Sequence, residues 1–137
     1  MRLLALDPGT KRIGVALSDE LKMFASPLEF IPAEPFAGVV HRLQQLIREK
    51  DVERIVIGLP RNMDGSYGPA ALKVQDFVGA LRNAIIVPVQ TWDERLTSVQ
   101  ANRFLIQGHV RREKRKEKVD KMAAAILLQG YLDSIAR

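Results

Sequence analysis

Residues 2–18 read RLLALDPGTKRIGVALS, and their pattern decides the fold. Residues 2 to 7, RLLALD, are an almost unbroken apolar run, as suits a strand in the middle of a sheet with both faces covered. Pro8, Gly9 and Thr10 supply a turn. Residues 13 to 18, IGVALS, then alternate, with Ile13, Val15 and Leu17 on one face. The pair predicts a β-hairpin whose first strand ends in a carboxylate, Asp7.

Downstream, a third short strand is expected around Ala25 to Ile31, with Pro27 favouring an edge position or a bulge. Pro32 and Pro35 break the pattern. Phe36, Val39, Val40, Leu43, Leu46 and Ile47 fall at helical spacing. RIVIGL, 54–59, reads as a buried strand ended by Pro60, and NMDGSYG, 62–68, as a glycine-rich loop. A second helix is predicted with Ala70, Val74, Phe77, Val78 and Leu81 on one side. IIVPVQTW, 85–92, reads as a strand interrupted at Pro88. Thr97 or Ser98 can cap a short helix stopped by Gly108. A last helix is expected from roughly Lys118 to Ile135, with Val119, Met122, Ala123, Ile126 and Gly130 on one face. Three leading strands followed by alternating helices and strands imply an α/β fold, a mixed sheet covered on both faces. With no repeat or linker, the 137 residues are expected to form one domain.

Composition narrows the chemistry. The absence of cysteine excludes thiolate metal sites and a cysteine nucleophile, and fits a cytoplasmic setting. No apolar run is long enough for a membrane span or a signal-peptide core. The net charge is +5, and residues 111–121, RREKRKEKVDK, hold seven basic and three acidic side chains, four of those five charges. A concentrated basic segment, read here as a loop, is the footprint of a polyanion partner, or else a solvated stretch that serves solubility.

Phosphodiester hydrolysis by two divalent ions needs carboxylates brought together from several elements. Three positions fit. Asp7 ends the first strand, Glu94 follows the strand ending at Trp92, and Asp120 lies in the first turn of the expected last helix, before Ala123, Ala124 and Ala125. Each alone has a plainer reading, as a turn former or a helix-dipole partner. Asp93 competes with Glu94, since adjacent strand residues face opposite ways. Glu94 is preferred because Asp93 is also placed to bind backbone at the next helix start. His41 and His109 are expected to be bystanders. Gly9 to Gly14, GTKRIG, is not a phosphate loop: Val15 and Ala16 follow the second glycine where a Lys and a Ser or Thr would be required. The D-x-G-T opening of actin-like ATPases and sugar kinases belongs to larger two-lobed proteins.

The chain resembles the YqgF family of bacterial RNase H-like nucleases, also called RuvX. The residues that carry the resemblance are DPGTKRIGVA at 7–16, ASPL at 25–28, GLPRNMDG at 58–65, DERLTS at 93–98, and Val119-Asp120 leading into Ala123–Ala125. The resemblance implies an RNase H-like five-stranded mixed sheet. It also implies an acidic set at Asp7, Glu94 and Asp120, Mg²⁺ or Mn²⁺ as cofactor, expected as two ions, and maturation of the 5′ end of small-subunit ribosomal RNA. Lys11, Arg12 and Arg95, by their places beside Asp7 and Glu94, are expected phosphate contacts. So are Arg111, Arg112, Lys114, Arg115, Lys116 and Lys118 of the basic segment. Two other functions remain open. One is a resolvase of four-way DNA, for which a homodimer is natural. The other is an RNA-binding assembly factor without catalysis.

Overall fold

Leu3 to Leu6 are fully enclosed in the computed structural model, which describes residues 1–60, 64–93 and 112–136. They form the centre of β1 (Arg2–Pro8). β2 (Arg12–Ser18) runs antiparallel beside it, and β3 (Ala25–Pro32) antiparallel beside β2. Then come α1 (Phe36–Lys50), β4 (Val52–Leu59), α2 (Pro69–Ala84), β5 (Val89–Asp93) and α3 (Arg112–Ile135). β4 pairs parallel with β1, and β5 parallel with β4, giving the order β3-β2-β1-β4-β5. This is the RNase H-like mixed sheet expected from the sequence.

Alternation along β1 sorts the core into two layers. Leu4 and Leu6 face α1 and α2 and meet Ile13, Val15, Leu43, Leu46, Ile55, Ile57 and Leu81. Leu3 and Ala5 face α3 and meet Ala16, Val56, Ala123, Ala124, Leu127, Leu128, Tyr131 and Leu132. Small residues dominate where α3 crosses the central strands, so that helix lies close to the sheet. Arg54 reaches toward it as well, donating to the Tyr131 hydroxyl at 3.0 Å and the Gln90 amide oxygen at 3.2 Å.

Local chemistry explains the element limits. The hairpin turn closes with Gly9 N–H donating to the Arg12 carbonyl at 3.0 Å. A Cβ on Gly9 would stand 2.6 Å from that same oxygen, so the turn admits only glycine. β3 is an edge strand with a register irregularity: Val15 faces Glu29 and Ala16 faces Pro27, leaving Leu28 as the extra residue. Edge and bulge are the two settings that tolerate a strand proline, and Pro27 has both. α1 ends at Asp51, whose left-handed backbone caps it.

Several expectations need correction. The strand expected over 85–92 begins only at Val89. Pro88 has no N–H for the ladder and contributes only its carbonyl, which accepts from Ile55 N–H at 2.9 Å, while Ile86 is exposed. On α2 the buried residue is Ala71, not Ala70. The last helix starts at Arg112 rather than Lys118, so from that residue the basic segment is helix, not loop. Its buried face is also displaced: Ala124, Leu127, Leu128, Tyr131 and Leu132 are covered, whereas Met122 is exposed. The short helix expected between Thr97 and Gln107 lies outside the described residues.

Candidate active site

Asp7 sits at the carboxyl end of β1, the end at which open α/β sheets present their sites. Continuing the alternation from Leu3 and Ala5 puts its side chain on the α3 face, where it is half-buried. Across the hairpin its partner is Gly14. On the other side, one step past Leu6↔Ile57, comes Gly58, which in turn pairs with Trp92. Neither sheet neighbour projects a side chain alongside the carboxylate. A strand-end carboxylate between two glycines offers oxygen ligands of the kind that a hard cation takes.

Trp92 fixes the facing of β5. Its ring packs edge-on against Tyr131 of α3, centroids 5.3 Å apart, and Gln90 accepts a 3.0 Å hydrogen bond from the Tyr131 hydroxyl. Gln90 and Trp92 therefore face α3, and Val89 lies in the opposite layer. By the same alternation Asp93, opposite Leu59, faces away from Asp7. Sequence reading sets Asp93 aside as placed to bind backbone at the next helix start; the structure adds that Asp93 faces the other layer.

The expected basic contacts divide. Arg12 shares the Asp7 face of β2, and its guanidinium lies 4.0 Å from the centre of the Phe30 ring, Phe30 being the partner of Gly14. Sequence reading does not find Phe30; an aromatic on the edge strand opposite Gly14 is recognisable only once the register is known. Lys11 is exposed in the turn, and its carbonyl accepts from Ala33 N–H at 3.0 Å. Arg112, Lys114, Arg115, Lys116 and Lys118 lie on the first turns of α3. Asp120 is on the same helix, eight residues in from Arg112, hence about two turns from its start. That position removes the helix-dipole reading. Glu94, Arg95, Arg111 and His109 lie outside the described residues. His41 is exposed on α1, beside Gln45. Among the described residues no three His, Cys, Asp or Glu side chains are grouped to hold a metal, and no helix is long and apolar enough to cross a membrane.

Fold and site together define an RNase H-like α/β protein with a carboxylate at the end of its central strand. Residues 1–134 match the family model RuvX, described as Holliday junction resolvase. The chain belongs to the RuvX family and is by that membership a nuclease, a hydrolase of phosphodiester bonds. A protein of Desulforamulus reducens named "Putative pre-16S rRNA nuclease" is 50% identical over 137 residues, covering 100% of both chains. One of the same name from Pelotomaculum thermopropionicum is 45% identical, covering 100% of this chain and 90% of its own. In fold, the chain is similar to Thermus thermophilus RuvC in complex with a Holliday junction substrate. That likeness has a TM-score of 0.59 at 18% identity, over 98% of this chain and 96% of that one.

Proposed function

We propose that this chain is a divalent-metal-dependent endonuclease that processes the 5′ end of pre-16S rRNA in the cytoplasm, with residues 1–137 acting as one nuclease domain. The observation that carries the reading is the placement of Asp7: a half-buried carboxylate between two glycines, on the face covered by the helix that bears Asp120. In this reading Asp7, Glu94 and Asp120 hold two Mg²⁺ or Mn²⁺ ions. Bound there, the ions supply an activated water and neutralise charge on the leaving oxygen. Glu94 is preferred to Asp93 because Asp93, opposite Leu59, faces the layer away from Asp7. The relatives' names support precursor rRNA as substrate.

The protein's own groups set the geometry. Asp7 is held by a strand with both neighbours in the sheet, so its carboxylate has little freedom to drift. Arg12, seated on Phe30, keeps a cation on the same face, where it can meet a phosphate of the bound strand. The basic first turns of α3 give the same helix that brings Asp120 a positive surface for the backbone flanking the cut.

The test is cleavage of a precursor rRNA fragment with Mn²⁺. Asp7→Asn is expected to lower the rate by on the order of 10²-fold or more, the scale of losing one group that stabilises developing charge. Chelation by EDTA is expected to stop cleavage while RNA binding persists. Full cleavage by Asp7→Asn would sink the reading and favour an assembly factor without catalysis. The family description favours a second reading, branched DNA as substrate cut by a homodimer. Preferential cutting of a synthetic four-way junction, with a dimer in sedimentation, would select it.

A further inference from the structure

A concave surface lies at the same end of the sheet as Asp7, in the opposite layer. It is a groove of about 530 Å³ between the β1–β2 turn, the residues after β3 and the first half of α2. That volume suits a small organic ligand. Its apolar side is formed by Pro8, Val74 and Phe77. Phe36 meets the Phe77 ring edge-on, centroids 6.1 Å apart and planes at 87°, which orients the half-buried ring. Three polar residues line the rest: Thr10, Lys73 and Glu34. Lys73 and Glu34 are exposed, and neither makes an ion pair among the described residues.

We propose that this groove receives one unpaired, amino-bearing nucleobase, with its phosphate, from the strand being cut. The proposal rests on the nuclease reading above and adds a binding subsite to it. Two observations select this occupant. First, the groove opens at the same end of the sheet as the candidate active site, across the β1–β2 turn from it: Pro8 lines the groove, and Asp7, the residue before, faces the other layer. A strand whose phosphate reaches Asp7 needs only to cross the hairpin tip to enter the groove. Second, the groove's chemistry matches a nucleotide end to end. A flat apolar side takes the base, a cation takes the phosphate, and a carboxylate accepts from an exocyclic amino group. Uracil has no such group, so Glu34 makes the groove selective for the amino-bearing bases over uracil. An acidic side chain at a polyanion site is otherwise unfavourable, and selectivity gives it a role.

The experiment measures fluorescence anisotropy of short cytidine and uridine oligoribonucleotides with the full chain in EDTA, so that nothing is cut, across a salt series. Wild type is expected to prefer cytidine by roughly tenfold. Lys73→Ala should weaken both oligonucleotides alike and reduce the salt slope by about 0.7, the value for one phosphate neutralised on a single strand. Glu34→Gln should bring cytidine and uridine close to parity, because an amide donates as well as accepts. Both side chains are exposed, so the variants are expected to fold. Unchanged affinity and preference in both variants, with wild type still cutting precursor RNA, would overturn the groove and leave the nuclease reading standing. Wild type that neither binds nor cuts RNA would overturn both. If the substitutions alter self-association in sedimentation but not oligonucleotide affinity, the groove is an interface between copies and the proposal fails.

Discussion

Ser18 is a buried polar side chain, and it shows how the end of the sheet opposite the candidate site is closed. Its hydroxyl accepts from Leu3 N–H at 2.8 Å and donates to the Asp19 carbonyl at 2.9 Å. Ser18→Ala leaves the Leu3 N–H enclosed without that partner, and is expected to cost about 1–3 kcal/mol in urea unfolding. Its neighbour Asp19 orders the β2–β3 connection by accepting from Met23 N–H at 2.8 Å and Phe24 N–H at 3.1 Å. Those bonds, that from Phe24 foremost, hold its carboxyl below the usual range. A lowered folded pKa means that this contribution is fully present above the ordinary Asp value and fades as pH falls through the lowered one. Amide exchange at Met23 and Phe24, corrected for intrinsic rates, should therefore speed up on acidification below that ordinary value, and Asp19→Asn should flatten the response. The Asp7 position is legible at this scale, because a carboxylate ending an apolar run is visible in the letters alone. The phase of Asp93 is not, because it depends on where β5 begins after Pro88.

At the scale of elements, α3 is where sequence reading and structure part company. Charge density alone suggests a loop for REKRKEK. Yet Arg, Glu and Lys are good helix formers, the stretch contains neither Gly nor Pro, and Glu117 stands four residues before Lys121. Propensity, not charge, governs the backbone here. The consequence is functional, since the cations ride on the helix that carries Asp120 instead of on a separate loop. Arg115→Glu with Lys116→Glu is expected to retain helical content by far-UV circular dichroism. It should weaken duplex binding and reduce the salt slope by about 0.9 for each phosphate that these side chains neutralise in the wild type. An unchanged slope would mean that these residues serve solubility. The hairpin, by contrast, is legible in Pro8-Gly9-Thr10, because a short turn between two patterned strands leaves few alternatives.

For the whole molecule, the two core layers differ in what they tolerate. The layer under α1 and α2 is built of large aliphatic side chains, and the layer under α3 of alanines backed by Leu127, Leu128 and Leu132. The general architecture is legible because β1 and β4 are apolar on both faces. The seat of α3 is not, because Ala123, Ala124 and Ala125 give no periodic signal to say which side faces inward. That seat determines how far Asp120 stands from Asp7, so the layers should respond differently to mutation. Leu43→Ala removes a fully buried side chain from the inner face of α1 and is expected to cost about 2–5 kcal/mol. Activity per folded molecule should stay near wild type, since that layer bears none of the proposed metal ligands. Ala124→Leu adds volume at a fully buried position between α3 and the sheet, and is expected to cost about 1–3 kcal/mol. Its larger effect should be on cleavage, because lifting the helix moves Asp120 while Asp7 stays with its strand. Measured below both unfolding transitions, the less destabilised variant should then be the less active one. Equal loss of activity in the two, or loss that tracks stability alone, would show that the seating of α3 does not position the site.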